Sequence, residues 1–153
     1  MKMQLKLMLL LLGVLLILLP GCDKKKAHDT TITAINLVNL NPKGNPIFTG
    51  TFTATGGLNT SGTQLMFVVP ETADPTLIDC NLTLTAAEGT IDIVMHCSVV
   101  TNTGKWHISS GTGLYKFTSG SGSLKMYFPP SPSVPPGAIA VETMTGKILM
   151  DGI

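Results

Sequence analysis

Two cysteines occupy matching positions in consecutive alternating segments, an arrangement that favours a disulfide bond. Leu77 to Ala86 and Ile91 to Val99 alternate apolar and polar residues, and Cys80 and Cys97 lie on the apolar faces. With Glu88-Gly89 as a two-residue hairpin loop, Cys80 faces Cys97 at a non-hydrogen-bonded site, where Cα atoms lie about 4.5 Å apart. The spacing therefore predicts a Cys80–Cys97 disulfide. Two buried free thiols are the alternative.

The other chemistry-bearing side chains form no recognisable catalytic or metal-binding set. In the same hairpin register His96 faces Asn81, with Asp92 on the same face but no third metal ligand in view. An exposed polar face is the simpler interpretation of His96. The chain contains no arrangement of Ser, His and Asp typical of a catalytic triad and no phosphate-binding loop. It also contains no pair of carboxylates in a sequence context typical of acid–base catalysis. We therefore predict no catalytic residue, no metal and no cofactor. A reaction templated by a cavity would leave little trace in the sequence, so an enzyme is disfavoured but stays open.

The alternation seen around the cysteines continues through most of the chain, and no segment after the N-terminal one shows a sustained helical period. Glycine-, proline- and asparagine-rich turns separate the alternating segments, a pattern typical of an all-β domain. It predicts a single antiparallel barrel of about eight strands or a sandwich. The proline-rich segment 129–137 is predicted as a surface loop between two strands. The candidate strands are 32–40, 48–55, 63–69, 77–86, 91–99, 105–109, 123–128, and 138–144 followed by 146–150.

Composition argues against binding to nucleic acid. Of the 153 residues only 12% are charged, the net charge is +1, and all ten basic residues are lysines. A nucleic-acid-binding domain needs a basic face and usually arginine for phosphate and base contacts.

The N-terminus has the parts of an export signal that ends in a cysteine. Lys2 and Lys6 precede a nearly continuous apolar run at 7–19, which is too short to favour a permanent transmembrane helix. The stretch Leu19-Pro20-Gly21-Cys22 resembles the lipobox of bacterial lipoproteins. That resemblance implies cleavage before Cys22 and a lipid on its sulfur and its new amino group. The expected organisation is a signal peptide at 1–21, a lipidated tether at 22–30 and a barrel at 31–153. The protein would lie in the bacterial cell envelope, anchored to the inner or the outer membrane through its lipid.

One stretch resembles a family of barrels. Residues 104–124 follow the pattern G-x-W-x-I-x-x-G-T-G-x-Y/F-x-x-x-x-G-x-G-x-L. This pattern is similar to that of allene-oxide-cyclase-like and dirigent-like β-barrels and of bacterial secreted proteins of unknown function. Residues 48–56 and 145–148 also resemble those bacterial proteins. The resemblance implies an eight-stranded antiparallel barrel with an apolar interior, and we expect Tyr115 and Phe117 to close one end. It carries over no activity, because the site residues of the plant enzymes have no match here.

Two functions fit these observations. The barrel binds a small hydrophobic molecule, or it is filled by its own side chains and serves as a structural or protein-interaction lipoprotein. Small barrels are usually packed, so both hypotheses stand. The predicted ligand-binding residues are Phe52, Leu82, Leu84, Ile93, Met95, Trp106 and Tyr115.

Overall fold

The protein folds as an all-β, closed antiparallel barrel of eight strands in a computed structural model that describes residues 26–71 and 73–150. The barrel expectation is therefore confirmed against the sandwich. The predicted signal peptide and Cys22 lie outside the described residues. No helix in the described part of the chain is long and apolar enough to cross a membrane. The strands are β1 (His28–Asn39), β2 (Ile47–Gly56), β3 (Thr60–Pro70), β4 (Leu77–Ala86), β5 (Gly89–Ser98), β6 (Thr103–Gly111), β7 (Ser119–Tyr127) and β8 (Ala140–Leu149).

Each strand pairs with its neighbour in sequence, and β1 pairs with β8 to close the sheet. Closure leaves no free strand edge, which an open antiparallel sheet would expose. We call the end at which β1 begins and β8 ends the tether end. The other end, which carries the β1–β2, β3–β4, β5–β6 and β7–β8 connections, is the distal end. The proline-rich segment 129–137 lies in the β7–β8 connection at the distal end.

Alternation decides which side chains face inward. In β5, Ile91, Ile93, Met95 and Cys97 are buried, while the residues between them are more exposed. Trp106 is also buried, and its indole nitrogen donates to the carbonyl oxygens of Ser123 and Thr145 at 3.1 and 3.2 Å. These carbonyls lie on β7 and β8, so the indole ties β6 to the two strands that follow it.

A short 3-10 helix (Gly113–Tyr115) separates β6 from β7 at the tether end. Tyr115 is buried there, as expected for a residue that closes this end, and its hydroxyl donates to Glu88 at 3.2 Å. The same expectation for Phe117 is wrong, because Phe117 is 64% exposed.

The β4–β5 hairpin has a different register from the predicted one. Ala86 pairs with Gly89, so the loop is Ala87-Glu88 and not Glu88-Gly89. Gly89 begins β5 with φ +146°, and a Cβ there would lie 2.2 Å from the carbonyl oxygen of Thr112. The glycine therefore allows both the positive φ directly after the loop and the close approach of the segment before the 3-10 helix.

Candidate functional site

A cavity of about 310 Å³ lies inside the barrel toward its distal end. Every strand except β6 contributes to its wall, which is almost entirely apolar. Its volume reaches the lower limit of typical small-molecule sites, roughly 300 Å³. The lining residues are Asn36, Pro46, Phe48, Met66, Val68, Pro70, Ile78, Cys80, Met95, Cys97, Val99, Met126, Phe128, Ala140 and Glu142.

A buried polar cluster interrupts this apolar wall. The Asn36 side-chain amide donates to Oε1 of Glu142 at 2.7 Å, and Gln64 donates to Oδ1 of Asn36. All three residues are at most 4% exposed. Oε2 of Glu142 and Oε1 of Gln64 have no hydrogen-bond partner among the described residues. The cluster is therefore short of donors, and a buried acceptor without a donor typically costs about 1–3 kcal/mol.

Burial also changes the acidity of Glu142. Loss of solvation raises the pKa of its carboxyl group from 4.5 to about 7, although the hydrogen bond from Asn36 favours the ionised form. The carboxyl group thus changes its charge near neutral pH inside an apolar cavity. A group of this kind is a candidate for ligand recognition.

The two predicted disulfide partners both line the cavity, but they do not face each other. Cys80 pairs with Met95, and Cys97 pairs with Ile78, so the predicted facing pair is wrong and the cysteines are diagonal neighbours. Both are buried free thiols in this structure. The hydrogen bond between the two thiols, with burial, raises the pKa of Cys80, and the same hydrogen bond lowers the pKa of Cys97.

The predicted ligand-binding residues are all buried, but Met95 is the one among them that lines the cavity. The other six belong to the packed interior of the barrel. The prediction used apolar character and inward direction, and these two properties identify residues of the barrel interior. They do not distinguish a side chain that packs against its neighbours from one that borders a cavity. The six are Phe52, Leu82, Leu84, Ile93, Trp106 and Tyr115.

Sequence reasoning missed the polar residues of the site, although the sequence contains a signal for them. Asn36 follows Ile32 and Ala34 on the inward face of β1, and Glu142 stands between Ala140 and Met144 on that of β8. A polar residue at an inward position of a strand marks either a satisfied network or a binding group. The catalytic and metal-binding combinations of residues do not include a lone inward carboxylate.

The histidines lie away from the cavity. His96 pairs with Asp79 and not with the predicted Asn81, and its Nδ1 lies 2.6 Å from the Asp79 carboxylate on the exposed outer face. The expectation that His96 belongs to an exposed polar face is confirmed. His107 is also exposed, and its ring stacks on His96 with centroids 6.2 Å apart. In the described residues no group of three or more His, Cys, Asp or Glu is placed to hold a metal ion.

A second depression, of about 370 Å³, lies at the tether end between β1, β2 and β8. Despite its larger volume it is a shallow surface feature lined by threonines, glycines, Asp29 and Lys147. Because it is wide open to solvent, it would remove little of a ligand's surface from water. The cavity inside the barrel is therefore the candidate site.

No protein-family model matches the chain, and no curated protein or solved structure does so. The resemblance of residues 104–124 to allene-oxide-cyclase-like and dirigent-like barrels stays a prediction.

The raised pKa of Glu142 predicts a pH-dependent stability. Because the folded state holds this proton more tightly than the unfolded chain, the free energy of unfolding should fall as the pH rises from about 4.5 to about 7. Full ionisation should cost roughly 3 kcal/mol. Urea unfolding at pH 5 and pH 8 measures this difference. Glu142→Gln should remove most of it, whereas Glu88→Gln, at an exposed acid in the β4–β5 loop, should leave it unchanged. An unaltered difference in Glu142→Gln would contradict the assignment.

Proposed function

We propose that the protein is a membrane-anchored lipoprotein of the bacterial cell envelope whose barrel binds a small hydrophobic molecule at its distal end. The single observation that carries the binding function is the apolar cavity of about 310 Å³, lined by residues from seven of the eight strands. A barrel filled by its own side chains would contain no void of this size. The signal-like N-terminus and the lipobox at Leu19 to Cys22 support the anchor.

The position of the anchor relative to the cavity predicts how the barrel is oriented on the membrane. Residues 23–27 alone separate Cys22 from the first residue of β1, and β1 begins at the tether end. With a lipid on Cys22, this short tether would hold the tether end near the membrane. The distal end would then face the aqueous compartment, so the ligand would enter from the aqueous side.

A second candidate function, the binding of a protein partner, has one observation in its favour. Ten of the twelve large apolar side chains that are exposed in the described residues lie in the distal half of the barrel. Contiguous exposed apolar surface marks interaction sites more often than chance. These ten residues, which we call the distal rim, are Leu37, Val38, Leu40, Phe67, Val69, Leu77, Val99, Val100, Phe128 and Ile139.

Ligand binding is testable by native mass spectrometry of protein purified from its own host. We expect a retained small molecule in the wild-type protein and its loss in Ala140→Leu, because the larger side chain projects into the cavity. Ala86→Leu is the matched control, since Ala86 is partly buried in the barrel but does not line the cavity. Protein that carries no small molecule, and takes up none from a panel of apolar compounds, would contradict the proposal.

The anchor is testable by fractionation of cells. Cys22→Ala should release the protein from the membrane fraction, because multiple acyl chains contribute about 0.8 kcal/mol for each buried methylene group. Cys97→Ala serves as the control, because it removes a cysteine of the barrel and should leave the protein with the membranes. Membrane association that survives Cys22→Ala would refute lipidation.

We also infer that Cys80 and Cys97 form a disulfide in the exported protein. They are diagonal neighbours on the inward face of the β4–β5 pair, and an exported compartment is oxidising. Such a bond would close a short loop and stabilise the hairpin by about 3 kcal/mol. Mass spectrometry of protein alkylated without reduction should find both cysteines unmodified and linked. Alkylation of both after denaturation would show that the thiols stay free.

A further inference from the structure

The cavity contains a carboxyl group whose negative charge, once the group is ionised, the described residues do not neutralise. Glu142 is 3% exposed, and its Oε1 accepts from Asn36 while its Oε2 has no donor. The ion pairs of the described residues, Asp79 with His96 and Asp29 with Lys147, lie on the outer surface and do not involve Glu142. The chain contains no arginine that might serve as a counter-ion.

The orientation of the polar cluster defines what it lacks. Gln64 donates to Asn36, and Asn36 donates to Glu142, so the chain of hydrogen bonds ends on the carboxylate. When Glu142 is ionised, the atoms left over, Oε2 of Glu142 and Oε1 of Gln64, are both acceptors. A ligand that completes this cluster must therefore bring hydrogen-bond donors.

A neutral donor such as a hydroxyl would satisfy one acceptor but leave the buried charge uncompensated. A protonated amine supplies up to three donors and the opposite charge in one group, and hydrogen bonds between two charged groups are the stronger kind. The rest of the wall is apolar, so the remainder of the ligand must be apolar as well.

We propose that the cavity takes a hydrophobic amine, with its apolar body against the cavity wall and its ammonium group at the carboxyl group of Glu142, which lines the cavity. This inference rests on the proposed binding function and names the class of ligand for the same cavity. It assigns Glu142 as the residue that determines specificity and Asn36 as the residue that positions the carboxylate.

The surroundings of Glu142 predict how binding responds to pH. The residues that face it from the flanking strands are Ala34 on β1 and Met126 on β7, and neither titrates. The titratable groups near it are the thiols of Cys80 on β4 and Cys97 on β5, which also line the cavity. Between pH 5.5 and 8 the carboxyl group ionises while an alkylamine stays protonated, so amine affinity should rise with pH.

Three compounds with one apolar cage and different head groups test the inference: 1-aminoadamantane, 1-adamantanol and adamantane-1-carboxylate. Binding is measured by isothermal titration calorimetry on the full chain in phosphatidylcholine nanodiscs, with empty nanodiscs as the blank. At pH 8 we expect the amine to bind at least about tenfold more tightly than the alcohol, which corresponds to about 1.4 kcal/mol. The carboxylate should bind most weakly. At pH 5.5 the ratio of the alcohol's Kd to the amine's Kd should fall toward one.

Two variants locate the effect. Glu142→Gln should abolish the preference for the amine and leave the affinity for the alcohol within about twofold. Glu71→Gln is the control, because it removes an exposed acid next to the distal end of β3. If the ammonium group contacts Glu142, this variant should still prefer the amine. If the amine is attracted only by the overall negative charge of the distal end, the preference should weaken in this variant too.

The outcomes separate this inference from the proposed function on which it rests. Equal binding of amine and alcohol to the wild-type protein, or tightest binding of the carboxylate, would overturn the amine assignment and leave a hydrophobic site standing. No binding of any of the three compounds would count against the binding function itself. Should Glu142→Gln fail to fold, the pH series on the wild-type protein decides, because a preference independent of pH excludes the carboxylate as its origin.

Discussion

The pairing of β1 with β8 is the constraint on which the rest of this structure depends. It joins the two ends of the described chain, removes both free edges of the sheet and forms the closed interior. It also builds the candidate site, because Asn36 on β1 and Glu142 on β8 meet only across this seam. Their hydrogen bond joins residues separated by 106 positions in sequence. The polar cluster is thus a product of barrel closure and of no local motif.

The distribution of side-chain volume explains why the barrel is filled in one part and hollow in another. Trp106, Phe52 and the aliphatic residues of β4 and β5 occupy the interior away from the distal end. Toward the distal end the wall includes small or slender residues such as Ala140, Cys80 and Cys97, which leave space between the strands. The two functional hypotheses from sequence, a hollow barrel and a filled one, therefore each describe part of the same interior.

Alternation allowed the fold class and most inward positions to be predicted from sequence, because successive residues of a strand point to opposite faces. The register of the β4–β5 hairpin was not predictable in this way. The predicted and observed registers differ by two residues at each facing position, and such a shift keeps every side chain on its face. Gly89, which was expected inside the loop, begins β5 and lies against the backbone of Thr112, a contact that only the folded chain reveals. The same limit applies to the site. Met95 borders the cavity and Leu82 does not, and this difference depends on residues from other strands.

The cost of keeping Glu142 in the interior is an argument about function. Apolar residues at the positions of Glu142, Asn36 and Gln64 would fill this part of the barrel without an unpaired acceptor or a buried charge. Replacing all partners of a buried polar interaction by apolar groups of the same shape can be nearly neutral or stabilising. Asn36 and Gln64 reduce the cost without removing it, because their hydrogen bonds leave one oxygen of the carboxylate without a donor among the described residues. A carboxylate that the fold holds in position, and does not itself satisfy, is what a site for an external cation requires.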